Sequence, residues 1–167
     1  MLSHNLPPVV SAFARRKIVW GLLAIGLTIA AGASAQTESG QEPIDLAQYR
    51  GKVVYLDFWA SWCAPCAESF PYMERLKQDF SKDELVIVAV NVDHAKPRAD
   101  AFLKRMNSDL HVVFDPEGLL ASAFKVKAMP TSLLIGKDGR IRYVHSGFHA
   151  DDIAKYDDHL RELLDEK

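Results

Sequence analysis

From residue 43 to the carboxyl terminus, hydrophobic positions fall in blocks whose period switches repeatedly between that of a buried strand and that of a helix. Val53–Trp59, reading Val-Val-Tyr-Leu-Asp-Phe-Trp, is a β-branched and aromatic run behind Gly51-Lys52 and predicts a buried central strand. Beyond it Phe70, Met73, Leu76, Lys77 and Phe80 recur at helical spacing, which predicts a helix running to about Phe80. Pro71 lies inside that helix and is expected to kink it rather than end it, because the apolar period resumes on the far side. Residues 85–92 form a continuous apolar run, as in a strand buried on both faces of a parallel sheet, and complete a βαβ unit. Ala99, Phe102, Leu103 and Met106 then mark a surface helix, His111–Phe114 a short strand, and residues 119–124 a short helix. Thr131–Ile135 and residues 141–144 flank Lys137-Asp138-Gly139-Arg140, and Asp-Gly between apolar runs predicts an antiparallel hairpin. Ile153, Tyr156, Leu160, Leu163 and Leu164 predict a closing helix, with Asp151 and Asp152 near its positive end. The order of types predicts an α/β fold: a mixed sheet, parallel at first and ending in an antiparallel hairpin, with helices on both faces.

The amino-terminal quarter follows another logic. Arg15, Arg16 and Lys17 precede an uncharged run of 16 residues, 18–33, that closes on Ala33-Ser34-Ala35. A basic segment, an apolar segment and a small-residue cleavage site in this order predict an export signal over residues 1–35. The alternative is a retained membrane anchor, for which the run is short of the roughly 20 residues that span hydrocarbon. Residues 36–42 carry no apolar side chain and read as a linker, so the folded domain is expected over 43–167. Cleavage after Ala35 removes three basic residues and no acidic ones, leaving 17 basic against 22 acidic residues and a net charge of −5. That balance offers no basic face for nucleic acid.

Cys63 and Cys66 are the only cysteines. An even count in an exported chain suggests a structural disulfide, but a bridge over two intervening residues removes little entropy from the unfolded chain. Redox chemistry explains the pair better. The thiolate is the reactive form, and a cysteine at a helix amino terminus has its anion stabilised by unpaired amides and the helix dipole. Cys63 is therefore expected to be the exposed nucleophile and Cys66, one turn inward, the buried resolving thiol. Asp57 interrupts an apolar strand and is the candidate proton acceptor for Cys66, a carboxylate held in place at a strand end being the alternative.

From Asp57 to Pro71 the chain reads Asp-Phe-Trp-Ala-Ser-Trp-Cys-Ala-Pro-Cys-Ala-Glu-Ser-Phe-Pro, and here it resembles the thioredoxin superfamily. Phe-Asp-Pro-Glu-Gly at 114–118 and Leu-Ile-Gly-Lys-Asp-Gly-Arg at 134–140, with the export signal, resemble its extracytoplasmic TlpA/ResA/DsbE branch. The resemblance covers about residues 43–167 and implies a thioredoxin-like fold. It implies that Met129-Pro130 forms a cis peptide facing the cysteines, where the Met129 backbone would pair with an extended substrate segment; without it, a trans proline opening a strand is expected. It also places Trp62, with Ala64 and Pro65, in the docking surface, and leaves Trp59 to the core. The chain departs from the branch at Ser69, where many members carry glutamate; Glu68 lies one step earlier on the helix and is expected on a solvated face.

The function so implied is reduction of disulfides in exported proteins, with apocytochrome c as the branch's commonest substrate. The working unit is a monomer in the periplasm or on the outer face of the cytoplasmic membrane, without a bound cofactor beyond the Cys63–Cys66 disulfide, resupplied by a membrane electron donor of the thiol-disulfide type. A disulfide-forming oxidant on the same fold is the first alternative, although Ala64-Pro65 resembles reducing members more. A module holding copper(I) on two thiolates is the second, and no histidine or methionine cluster at matching spacing accompanies the pair. His145 and His149, four apart with Gly147 between them, are expected to be surface residues rather than metal ligands.

Overall fold

A computed structural model describes residues 44–166. The expected leader, 1–35, and the whole of the expected linker, 36–42, lie outside the described residues, and each element named here belongs to the unit that follows. Five strands, β1 (Val53–Trp59), β2 (Leu85–Asn91), β3 (His111–Phe114), β4 (Thr131–Ile135) and β5 (Ile141–Ser146), form one sheet in the order β3-β2-β1-β4-β5. β1, β2 and β3 are parallel, β4 runs antiparallel to β1, and β5 antiparallel to β4. The α/β architecture with a terminal hairpin is thus the one the hydrophobic pattern predicts.

β1 is the central strand and every one of its seven residues is buried. Strand side chains alternate between faces, so β1 feeds two cores. Val53, Tyr55 and Trp59 join Phe70, Met73 and Leu76 of α1 (Ala64–Asp79), Ala99 and Phe102 of α2 (Lys96–Met106), and Tyr156, Leu160 and Leu163 of α4 (Ile153–Asp165). Val54, Leu56 and Phe58 pack on the other face with Ala121 of α3 (Leu119–Ala123) and with Leu46 and Tyr49 of a 3-10 turn.

The first helix continues through Pro71 for 16 residues. A proline inside a helix costs about 3 kcal/mol through its missing donor and ring clash. Burial of Phe70, Tyr72, Met73 and Leu76 on the same helix offsets that cost. The hairpin is closed by hydrogen bonds from Gly136 N to Arg140 O (2.9 Å) and from Gly139 N to Gly136 O (2.8 Å). Gly139 has φ of 77°, a left-handed conformation that only glycine adopts without strain, which is why Asp-Gly was informative.

β5 runs two residues past the expected end, to Ser146, because His145 and Ser146 keep register with Ser132 and Thr131. His145 is consequently not a surface residue: it is 9% exposed and lies under α4. His149, beyond Gly147, is exposed as expected.

Trp59, Phe70 and Phe102 form a three-ring cluster with centroids 4.8–5.0 Å apart, binding β1, α1 and α2 together. Phe102→Ala should lower stability by about 3–5 kcal/mol. Urea unfolding would show this as a lower midpoint at unchanged slope; a loss under about 1 kcal/mol would mean the cluster is not what holds α2.

Candidate active site

The chain leaves the carboxyl end of β1, turns through residues 60–62 and enters α1 at Cys63. Cys63 is the N-cap, with extended backbone (φ −89°, ψ 109°), and its Sγ accepts a hydrogen bond from the Cys66 amide at 3.2 Å. Pro65 occupies the first helical turn, where a missing amide leaves nothing unsatisfied. Cys63 and Cys66 are joined by a disulfide, their Cα atoms 5.3 Å apart. The amino end of a helix thus presents its free amides to a sulfur, as the chemistry of a stabilised thiolate requires.

Cys66 is fully buried and Cys63 is 6% exposed. The contrast is in the expected direction, yet Cys63 is far more covered than an exposed nucleophile would be. The bond to Cys66 and the amide contact draw its sulfur onto the first turn of α1. Access at the site is provided by its neighbours: Trp62 is 67% exposed, and Ala64 and Pro65 are exposed. Trp59 is fully buried, as expected, with Nε1 unpaired among the described residues.

The turn that delivers Cys63 is held by a residue the pattern did not single out. The Asp93 carboxylate, 2% exposed, accepts from Ser61 N (2.9 Å), Ser61 Oγ (3.0 Å) and Asn91 Nδ2 (2.9 Å), while Asp93 N donates to Asn91 Oδ1 (3.0 Å). Cys63 N closes the turn on Ala60 O at 3.2 Å. The signal in the sequence was two polar residues, Asn91 and Asp93, around the end of an apolar strand.

Asp57 is fully buried in β1. Its parity is that of Tyr55 and Trp59, so it lies on the face covered by α1, the helix that carries both cysteines. Asp57 Oδ1 accepts from Ser132 Oγ at 2.6 Å, and Ser132 Oγ in turn accepts from Tyr55 Oη at 3.0 Å. Asp57 Oδ2 has no partner among the described residues. Burial raises the Asp57 carboxyl to about 7, and the hydrogen bond from Ser132 opposes the rise. Ser132 and Tyr55 were not foreseen. Ser132 pairs with Asp57 across the sheet, a register visible only once β4 is known to lie beside β1.

The Met129-Pro130 peptide is cis, and Met129 packs against the cluster that contains both cysteines. Glu68 is exposed; Ser69 is buried, and its Oγ donates to Cys66 O at 3.0 Å. Among the described residues no three His, Cys, Asp or Glu side chains are grouped to hold a metal ion, and no helix is long and apolar enough to cross a membrane.

At the edge of the same face, His145 Nε2 and His159 Nδ1 share a hydrogen bond of 3.0 Å, and His145 Nδ1 is buried without a partner among the described residues. Burial and the neighbouring His159 and Lys155 lower His145 to about 4, with Asp152 opposing.

The Redoxin family profile matches residues 25–160. Over 102 residues the chain is 36% identical to the thiol-disulfide oxidoreductase ResA of Geobacillus kaustophilus, covering 61% of this chain and 59% of that protein. It therefore spans about three fifths of the length of the curated relatives it matches. Among solved structures it is similar to a protein described as a thiol:disulfide interchange protein, DsbE, from Chlorobium tepidum. That match has 39% identity and a TM-score of 0.68, over 71% of this chain and 84% of that one. It is also similar to the exposed lipoprotein thioredoxin of Streptococcus pneumoniae, with 34% identity and a TM-score of 0.57 over 71% and 90%. The fold is thioredoxin-like.

Asp57 and His145 pull the pH dependence of stability in opposite directions. Folded Asp57 keeps its proton up to about 7 against 3.8 for an ordinary aspartate, so its contribution is present below pH 3.8 and lost as pH rises through 7. Folded His145 stays neutral down to about 4 against 6.5, so its contribution is present above pH 6.5 and lost as pH falls through 4. In the oxidised protein, Asp57→Asn should leave the histidine's slope alone. Relative to wild type the variant should gain stability between about pH 4 and 7, by a few kcal/mol in all at about 1.4 kcal/mol per pH unit. Urea unfolding across that window measures it; a difference independent of pH would contradict the assignment.

Proposed function

The chain belongs to the Redoxin family, and from that premise we propose that it is a thiol:disulfide oxidoreductase that reduces disulfides of exported proteins. The observation that carries this reading is the Cys63–Cys66 disulfide at the amino end of a helix that springs directly from the buried central strand. Similarity to proteins named as thiol-disulfide oxidoreductases supports it.

In the reduced protein the Cys63 thiolate attacks one sulfur of a substrate disulfide, forming a Cys63–substrate bond and expelling the other substrate thiolate. Cys66 then loses its proton to Asp57 and attacks Cys63 Sγ. The substrate's second sulfur leaves as a thiolate, and Cys63–Cys66 closes. Two electrons pass to the substrate, and the product on the protein is the disulfide present here. A thiol-disulfide donor must return those electrons, and a membrane protein of that class suits an exported enzyme. Asp57, with its carboxyl near 7, is poised to be ionised for part of the population at neutral pH and so to accept the Cys66 proton. Trp62, Ala64 and Pro65 offer the docking surface, and the Met129 backbone beside Pro130 the pairing edge. Residues 1–35 supply export, removed after Ala35 or retained as an anchor, which puts the protein in the periplasm or on the outer face of the cytoplasmic membrane. Apocytochrome c is the substrate proposed for this site.

Cys63→Ser should abolish insulin disulfide reduction, and Cys66→Ser should accumulate mixed disulfides. Full turnover by Cys63→Ser would remove the basis of the mechanism. The direction of electron flow is read from the reduction potential of the pair by titration against glutathione or dithiothreitol. A value near thioredoxin's −270 mV, roughly, is expected, and one above about −180 mV would identify a disulfide-forming oxidant instead. For the base, Asp57→Asn should slow release of the mixed disulfide about tenfold or more while sparing the first attack. Wild-type release throughout the pH range would make Asp57 structural.

A further inference from the structure

Asp57 can accept the Cys66 proton repeatedly only if the proton leaves again, and Asp57 is sealed from solvent. The register across the sheet places Ala89, Asp57, Ser132 and His145 side by side on β2, β1, β4 and β5. Residues directly opposite each other in such pairs project to the same face. From Asp57 outward this row rises in exposure, from 0% at Asp57 through 3% at Ser132 to 9% at His145, and ends at the half-buried His159 of α4. Two of its buried atoms lack partners among the described residues, Asp57 Oδ2 and His145 Nδ1, and they flank Ser132. A buried polar atom without a partner is uncommon, and here a potential proton donor and a potential proton acceptor are both unpartnered among the described residues in one row, with a hydroxyl-bearing residue between them.

We infer that His145 and His159 form the exit path for the proton that Asp57 receives from Cys66. The inference rests on the reading of Asp57 as proton acceptor. Asp57 and His145 are two strand spacings apart, about 10 Å between backbones, a span that a carboxyl group, one water and an imidazole bridge. In the step, Asp57 Oδ2–H gives its proton through that water to the His145 Nδ1 lone pair. His145 Nε2–H passes its own proton to His159 Nδ1, and His159 releases one from Nε2 to solvent. One proton enters the row and one leaves, with no change in oxidation state; when the disulfide is reduced again and Cys66 regains its proton through Asp57, the same row runs inward and restores both tautomers.

The surroundings suit a neutral imidazole with an open lone pair. His145 faces Ser132 from β4, Tyr143 from its own strand, and Tyr156 (ring centroids 4.6 Å) and His159 from α4; Lys155 and Asp152 act on it from α4 and the turn before it. His159 stacks on Tyr143 at 3.9 Å between centroids, which holds its ring in the plane that meets His145.

The two halves of the cycle can be read separately with Ellman's reagent on the reduced full-length protein, since one thionitrobenzoate leaves on attack by Cys63 and the second on resolution by Cys66. At about pH 6, where most Asp57 starts protonated and must shed that proton before it can take the one on Cys66, His159→Gln should slow the second phase about tenfold and leave the first unchanged, and added imidazole should restore part of the rate because His159 is only half-buried. His145→Gln should show the same split, with His159→Gln as the safeguard if the buried substitution unfolds the protein. On an Asp57→Asn background, either histidine substitution should have no further effect. A slow second phase in Asp57→Asn with a wild-type second phase in His159→Gln would overturn the relay and leave the acceptor role of Asp57 standing. Independent, additive losses would also overturn it, by showing that the histidines act apart from Asp57. A wild-type second phase in Asp57→Asn itself would overturn the acceptor reading, and the relay with it.

Discussion

The constraint on which the site depends is that β1 is covered on both faces and still carries a carboxylic acid. All seven residues from Val53 to Trp59 are buried, with helices α1, α2 and α4 on one side and α3 and a 3-10 turn on the other. Asp57 is therefore sealed from bulk solvent, and among the described residues it accepts one hydrogen bond, from Ser132, where an ionised carboxylate accepts several. Ionising it there is costly, which keeps the acid protonated to about 7. The strand that builds both cores is the same strand that raises the carboxyl.

The cysteines inherit their placement from that strand. β1 ends at Trp59, and four residues later Cys63 caps α1, so the reactive pair stands at the carboxyl end of the central strand with little freedom to move. Asp93 ties the intervening turn to the end of β2 through Ser61, and Asn91 steadies Asp93. A carboxylate accepting three hydrogen bonds makes a strong clamp, and its burial at 2% exposure protects it from exchange with water.

Much of this was legible in the sequence because it rests on local signals. Alternation of apolar runs and helical periods marked every strand and helix, Asp138-Gly139 marked the hairpin, and Cys-Ala-Pro-Cys after an apolar run marked the helix cap. What was not legible depends on which strands lie side by side. Ser132 beside Asp57, and His145 beside Ser132, follow from the order β1-β4-β5, which the hairpin alone does not specify. His145 read as a surface residue because the apolar run of the last strand ended at Val144; pairing with β4 carries β5 on to Ser146, and α4 covers the histidine. The near-complete cover of Cys63 was likewise beyond local pattern, since it depends on the disulfide.

The central claim, that burial beneath the cysteine helix makes Asp57 a base of neutral pH, is tested most directly by following the Asp57 side-chain carboxyl carbon by NMR through a pH titration. The protein should be oxidised, so that neither cysteine titrates. A midpoint near 7 is the predicted result. A midpoint near the ordinary aspartate value of about 3.9 would contradict the account, since Asp57 would then be fully ionised at neutral pH and its burial would not have tuned it.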